Sequence, residues 1–195
     1  MTRTMIPQTR PSIRQVLDLC ALLVVVVAVA WGSILFYKHE SWKQFSSVVP
    51  GHVYRSGLLR SDQLEKAIDR LNLKTVICLA DSEADRERAI CKKHGVRFVG
   101  FDMHSSGFGK PEDFREVVRL MADSDSQPVL VHCRAGVART GASVALYRMS
   151  VDGWDLDRAI KELKSFEKWG RCEPALQAMI ADYYRRDFVP ELVRR

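Results

Sequence analysis

Residues 128–141 read PVLVHCRAGVARTG: an apolar run of strand length, then Cys133, five residues, Arg139, Thr140 and a helical pattern that continues to residue 150. A loop between a strand and a helix N-terminus can turn its backbone N–H groups inward as a nest, and the helix dipole adds partial positive charge at the same point. The stretch therefore predicts an anion cradle at the end of a buried strand. Gly136 can take a positive φ without a Cβ clash, and Ala135 and Ala138 need little room beside it. Arg139 closes the cradle, because its planar guanidinium donates two parallel hydrogen bonds to phosphate oxygens, which a lysine cannot reproduce. The residues expected around a bound phosphate are Arg134, Ala135, Gly136, Val137, Ala138 and Arg139.

The same electropositive surroundings lower the Cys133 thiol from an ordinary pKa of about 8.5 into the range of roughly 3.5 to 7.5 seen at helix N-termini and beside cations. Cys133 is then a thiolate nucleophile at neutral pH. Thr140 donates its hydroxyl hydrogen to the sulfur or is an ordinary helix-start residue, and His132 fixes the loop through hydrogen bonds or is a structural histidine at a strand end. The bare spacing is cheap, since Cys91 and Arg97 repeat it. There, however, the cysteine falls near the end of a predicted helix and the arginine in the following strand, so no loop curls around an anion.

In this context HCRAGVART, residues 132–140, resembles the H-C-x-x-G-x-x-R-T signature of the cysteine-based protein tyrosine phosphatase superfamily, in particular its small dual-specificity-like members. The resemblance extends over residues 48–187 and includes the opening VPGHVYRSGLL at 49–59. It implies a two-step mechanism that needs neither metal nor organic cofactor. A thiolate attacks phosphorus while an acid protonates the leaving oxygen, and water then attacks the phosphocysteine with that acid acting as base. Family members carry the acid as an aspartate on a mobile loop that follows a strand. Asp102 fits, 31 positions before Cys133 at the end of VRFVGFD and ahead of the glycine-containing HSSGFGKP. Asp81 is the second candidate, and either aspartate is otherwise a strand-end cap. Arg55 and Ser56 match the family opening and support the pocket. The implied substrate is a phosphotyrosine or phosphoserine/threonine protein or a small phosphoester. Val137 and Ala138 stand where phosphoinositide phosphatases tend to carry basic residues, although Arg134 keeps an inositol phosphate in view.

Outward from this segment, apolar runs of strand length alternate with helical patterns. Buried strands are expected at 75–80, 96–102 and 129–131, and helices at 61–71, 83–93, from Pro111 onward, at 140–150, and at about 155–168 and 174–187. This alternation predicts an α/β domain with a mostly parallel central sheet flanked by helices, of the dual-specificity-phosphatase type. Residues 19–37, LCALLVVVVAVAWGSILFY, carry no charge and are long enough to cross a hydrocarbon core of roughly 30 Å. One transmembrane helix or signal anchor is therefore expected to precede the domain. Ala28-Val29-Ala30 resembles a signal-peptidase site, but the apolar run continues past it, which favours an uncleaved anchor. Arg3, Arg10 and Arg14 before the span, against Lys38 and Lys43 balanced by Glu40 after it, place the N-terminus in the cytoplasm and the catalytic domain outward. The expected organisation is a basic N-terminus at 1–18, the single membrane span at 19–37, a connector at 38–47 and a phosphatase domain at 48–195.

Composition narrows the alternatives. With 47% hydrophobic and 28% charged residues over 195 positions, the chain reads as one globular domain with an appendage rather than as a disordered protein. The net charge of +6 is partly N-terminal, and there is no lysine-rich run, no interleaving of aromatic and basic residues and no zinc-finger spacing, so nucleic acid is not an expected partner. The cysteines at 20, 78, 91, 133 and 172 form no C-x-x-C pair, which argues against a disulfide framework or a structural zinc site; Cys78 reads as a buried hydrophobe. The rival functions are a phosphate-binding module without turnover, and thiol redox or arsenate reduction with Cys172 or Cys78 as the resolving cysteine. No pattern specifies an oligomeric state.

Overall fold

The computed structural model describes residues 13–167 and 174–188; within this range the side chains of residues 15–18, 21, 33–40 and 83 are not described. Two compact units are present, residues 1–41 and residues 42–195. The first contains helix α1, Ile13–Glu40.

Among the described residues no helix is long and apolar enough to cross a membrane. The expected transmembrane helix at 19–37, and with it the single-pass membrane placement and outward-facing domain, is corrected accordingly. Arg3 and Arg10 of the orientation argument lie outside the described residues, as does Cys172.

In the second unit, strands β1 (Ser46–Val49) and β2 (Val53–Ser56) form an antiparallel hairpin. Pro50 and Gly51 make its turn: the His52 N–H donates to the Val49 carbonyl at 3.0 Å and Gly51 sits at φ +80°, the positive value that the third residue of a type II turn requires. There follow α2 (Ser61–Leu71), β3 (Thr75–Cys78), a single 3-10 turn (Asp81–Glu83), α3 (Asp85–Lys93), β4 (Arg97–Gly100), α4 (Pro111–Ala122), β5 (Val129–His132), α5 (Ala138–Ser150), α6 (Leu156–Ser165) and α7 (Pro174–Tyr183), which continues as a π-helical turn over Tyr184–Phe188. The sheet order is β1-β2-β5-β3-β4. β2, β3, β4 and β5 run parallel, while β1 is the antiparallel edge, so the sheet is mixed.

Side chains alternate across a strand, and the sheet is buried on both faces. Val129 and Val131 of β5 join Ile77 of β3 in a core filled by Phe114, Val117 and Leu120 of α4, Leu146 of α5, Leu163 of α6 and Ile180 of α7. Leu130 and Val76 face the other way, onto Leu64, Ala67 and Ile68 of α2 and Ile90 and Cys91 of α3. α2 forms because its apolar residues recur at i, i+3 and i+4, and Asn72 stops it in the left-handed conformation at φ 50°. α5 is buried almost all round. It meets α6 closely at Gly141, where a Cβ would stand 2.9 Å from Leu163 Cγ.

Candidate active site

β5 is the central strand, and the polypeptide leaves its carboxyl end at Cys133 to enter α5 five residues later. In parallel α/β sheets this edge is where ligands bind. Neighbouring segments hold the loop from behind. The Arg134 carbonyl accepts from Lys43 Nζ at 2.8 Å and from the Leu58 N–H at 3.3 Å, and the Gly136 carbonyl accepts from Arg55 Nη2 at 2.8 Å. In a planar trans peptide the C=O and the following N–H point in opposite directions. Drawing those two carbonyls back therefore turns the N–H groups of Ala135 and Val137 toward the open side of the loop.

Gly136 is required for this path. Its φ is +77°, and a Cβ would lie 2.6 Å from the Gly57 nitrogen and 2.8 Å from the Ser56 carbonyl oxygen. Arg55 is buried at 1% exposure, and its guanidinium stacks over the Phe166 ring at 3.6 Å. Burial pushes its pKa down to about 10, against the restoring fields of Glu162 and Cys133.

Cys133 is 2% exposed and its sulfur accepts the Gly136 N–H at 3.2 Å. Burial alone would raise its pKa. The approach of the Thr140 hydroxyl and amide, the Gly136 amide and the Arg139 charge together outweigh burial and hold the thiol below its ordinary value. The Thr140 hydroxyl is fully buried and completes no hydrogen bond of ordinary geometry, so its influence is that of a nearby dipole. Arg139 opens α5, and its Nη1 donates to the carbonyls of Leu79 and Met103, both at 3.1 Å. These carbonyls lie just past the ends of β3 and β4, and they fix the plane of the guanidinium.

Arg139 and Arg134 line a polar pocket of about 450 Å³ together with Asp102, His104, Ser82 and Ser105. Asp102 is exposed and tied to the strand ends by a backbone bridge to Ala80. Asp81 is engaged elsewhere, in an ion pair with Arg88. The loop after Asp102 turns back on itself, with the Gly107 N–H donating to the His104 carbonyl at 3.0 Å and His104 Nδ1 2.6 Å from Ser106 Oγ.

His132 ends β5 with its ring buried and the Cys133 backbone close to it. Its ring nitrogens complete no hydrogen bond of ordinary geometry, and Nε2 lies 3.5 Å from Glu87 Oε1. Burial is the chief cause that pushes its pKa down to about 4, so the ring is neutral. Burial likewise raises Glu87 to about 7 and the Cys78 thiol to about 12. Cys78, Glu87 and His132 offer ligand atoms all within 4.8 Å of one another, the one place among the described residues where a metal-ligating trio assembles. Sequence reasoning passed over Lys43, His104 and Glu87. Only His104 had a local signal, as the residue directly after Met103 in the segment that follows Asp102.

Comparison with known proteins places this geometry. The sequence profile described as the tyrosine phosphatase family matches residues 41–191. Among curated proteins, the dual specificity protein phosphatase TpbA of Pseudomonas aeruginosa (strain UCBPP-PA14) is 33% identical over 112 residues, 57% of this chain and 50% of the relative. The inositol diphosphatase DSP1 of Oryza sativa subsp. japonica is 32% identical over 127 residues, 62% of this chain and 55% of the relative. The chain thus spans about half the length of these relatives. Among solved structures, the core catalytic domain of the PP-IP phosphatase SIW14 from S. cerevisiae, in complex with citrate, superposes with a TM-score of 0.68 at 22% identity, covering 78% of this chain and 92% of that one, a likeness of fold. P. aeruginosa TpbA superposes at 0.55 with 27% identity, covering 77% and 93%.

Proposed function

The chain belongs to the tyrosine phosphatase family, and from that membership we propose that it hydrolyses phosphoesters through a phosphocysteine intermediate on Cys133. The observation that carries the reading is the pairing of a loop whose amides of Ala135 and Val137 face outward with a guanidinium, Arg139, held at two carbonyls beside Asp102. The backbone amides and Arg139 take the equatorial phosphate oxygens and stabilise the charge that spreads over them. The Cys133 thiolate forms the S–P bond as the P–O bond to the leaving group breaks, and Asp102 delivers its proton to the departing oxygen. Water then attacks phosphorus, Asp102 takes back a proton, and the thiolate departs with the Thr140 dipole directed at it.

Substrate choice turns on the lining of the pocket. The pocket's polar lining, with Arg134 as a second cation, suits a phosphorylated protein side chain, in line with the name of the TpbA relative. An inositol diphosphate is the second reading, favoured by the names of the rice relative and of the SIW14 relative. Against turnover-free binding stands the simultaneous presence of nucleophile, clamp and acid. Against thiol redox stands Cys78, whose sulfur is buried and held protonated by its surroundings.

The test uses the full chain. Vanadate-sensitive hydrolysis of an aryl phosphate is expected in the wild type, abolished in Cys133→Ser, and stripped of its acid-side dependence in Asp102→Ala. Parallel assays on a phosphotyrosyl peptide and on a diphosphoinositol polyphosphate rank the two substrate readings. Unchanged turnover in Cys133→Ser would sink the mechanism.

A further inference from the structure

Cys78 and His132 are register partners on adjacent parallel strands. By strand alternation both point to the face opposite Ile77 and Val131, which is the face covered by α2 and α3. Glu87 rises from α3 to meet them. All three are buried, with Cys78 and Glu87 at 2% exposure and His132 at 1%. Both His132 ring nitrogens and Glu87 Oε1 lack a hydrogen bond. Buried polar atoms are nearly always satisfied, and His132 Nε2 and Glu87 Oε1, which face each other at 3.5 Å with the Cys78 sulfur close by, call for a common partner.

The geometry points to that partner as a divalent cation of the zinc type, ligated by Cys78 Sγ, Glu87 carboxylate oxygen and a His132 ring nitrogen, with one water completing a four-coordinate site. Bonds of about 2.0–2.3 Å in a tetrahedral arrangement set ligand atoms roughly 3.3–3.8 Å apart. The His132–Glu87 pair already stands at 3.5 Å, and the whole trio lies within 4.8 Å. A small cavity of about 10 Å³ is bounded by these side chains together with Leu58, Ala80, Cys133 and Arg134, the size of one water.

The mixed sulfur, nitrogen and oxygen donor set selects zinc over magnesium or calcium, which prefer all-oxygen shells. Charge also balances. A thiolate and a carboxylate neutralise the 2+ ion, and the imidazole stays neutral, so no net charge is buried. On binding, the Cys78 proton leaves to solvent as the metal–sulfur bond forms. The ion takes no part in phosphoester chemistry. It fixes the His132 ring, and so the end of β5 from which Cys133 departs.

The test titrates chelator-stripped full chain with Co²⁺, followed by Zn²⁺. The wild type is expected to bind one equivalent of Co²⁺ with the intense visible bands of a four-coordinate site and a thiolate-to-cobalt band in the near ultraviolet, all displaced by Zn²⁺. The spectrum should persist in Cys133→Ser and in Cys172→Ser, vanish in Cys78→Ser, and need at least about tenfold more Co²⁺ in Glu87→Gln. Zn²⁺ at a hundredfold excess over its Kd should raise the wild-type thermal midpoint by roughly 5–10 °C and leave that of Cys78→Ser unmoved. Both substitutions are nearly isosteric, and metal-free melting checks that each variant folds; Glu87→Gln decides the matter if Cys78→Ser does not. Absence of stoichiometric binding to the wild type overturns the proposal. So does a spectrum that survives Cys78→Ser and disappears in Cys133→Ser, which would place the metal on the nucleophile.

Discussion

Replacing Arg55 with methionine should separate stability from turnover. The substitution removes the hydrogen bond to the Gly136 carbonyl at 2.8 Å, worth about 1.5–3 kcal/mol for a charged donor. It also removes the stacking over Phe166 at 3.6 Å, worth about 1–2 kcal/mol when desolvated. Against these losses, burial drives the Arg55 pKa down to about 10, so holding the group charged costs about 3 kcal/mol, and methionine relieves that cost while its thioether still packs on the ring. The losses and the relief nearly cancel, and urea unfolding should find the variant within about 2 kcal/mol of wild type. The loop does not recover in the same way. With its carbonyl released, Gly136 no longer holds the Val137 amide in place, and a displacement of about 1 Å at a phosphate site costs on the order of 10²-fold in rate. Steady-state hydrolysis of an aryl phosphate should therefore show kcat reduced by about that factor, with Arg55→Lys recovering part of it. Wild-type kcat in a stable Arg55→Met protein would refute the reasoning, and so would a kcat loss matched by an equally large loss of stability.

Three further outcomes follow from the same geometry. The Cys133 thiolate is favoured in the folded protein, so the alkylation rate should reach half its maximum at a lower pH than for an ordinary thiol, and Thr140→Val should move that midpoint upward; a midpoint at the ordinary thiol value in the wild type would contradict the assignment. Gly136→Ala forces a Cβ against the backbone of Gly57 and Ser56 at a positive φ, and should cost about 3 kcal/mol or more in denaturant unfolding as well as nearly all activity. Phe114 is fully buried and meets Tyr183 edge-on at 5.9 Å; Phe114→Ala should lower stability by about 3–5 kcal/mol, while the protein that remains folded keeps a near-wild-type KM.

What could be read in advance depended on how local the cause was. The helix at Ser61–Leu71 declares itself through Leu64, Ala67 and Ile68, and β5 through an apolar run that ends on the cysteine. The hairpin of β1 and β2 was less visible, because Tyr54 and Arg55 interrupt the apolar pattern and β2 is stabilised by a parallel partner far along the chain. Lys43 fell within the expected connector, yet its contact with the Arg134 carbonyl spans 91 positions, a relation no local pattern encodes. Glu87 lies in a charged helical segment with no local sign of burial, and it is buried under the sheet. The two candidate aspartates both follow predicted strands; spacing and the glycine-containing loop set Asp102 first, and packing adds that Asp81 is paired to Arg88 while Asp102 lies beside Arg139. The uncharged stretch at 19–37 spoke strongly through hydropathy, but no described helix meets the requirement for a span.

The carbonyls that orient Arg139 come from Leu79 and Met103, and those that shape the loop are gripped from Lys43, Arg55 and Leu58. This has a bearing on protein engineering. The fourteen residues 128–141 could be transplanted into another strand–helix junction without carrying their chemistry with them, since the instructions for their shape are written on four other segments of the chain. A graft that works must import the receiving surface along with the motif, and the smallest portable unit is the edge of the sheet.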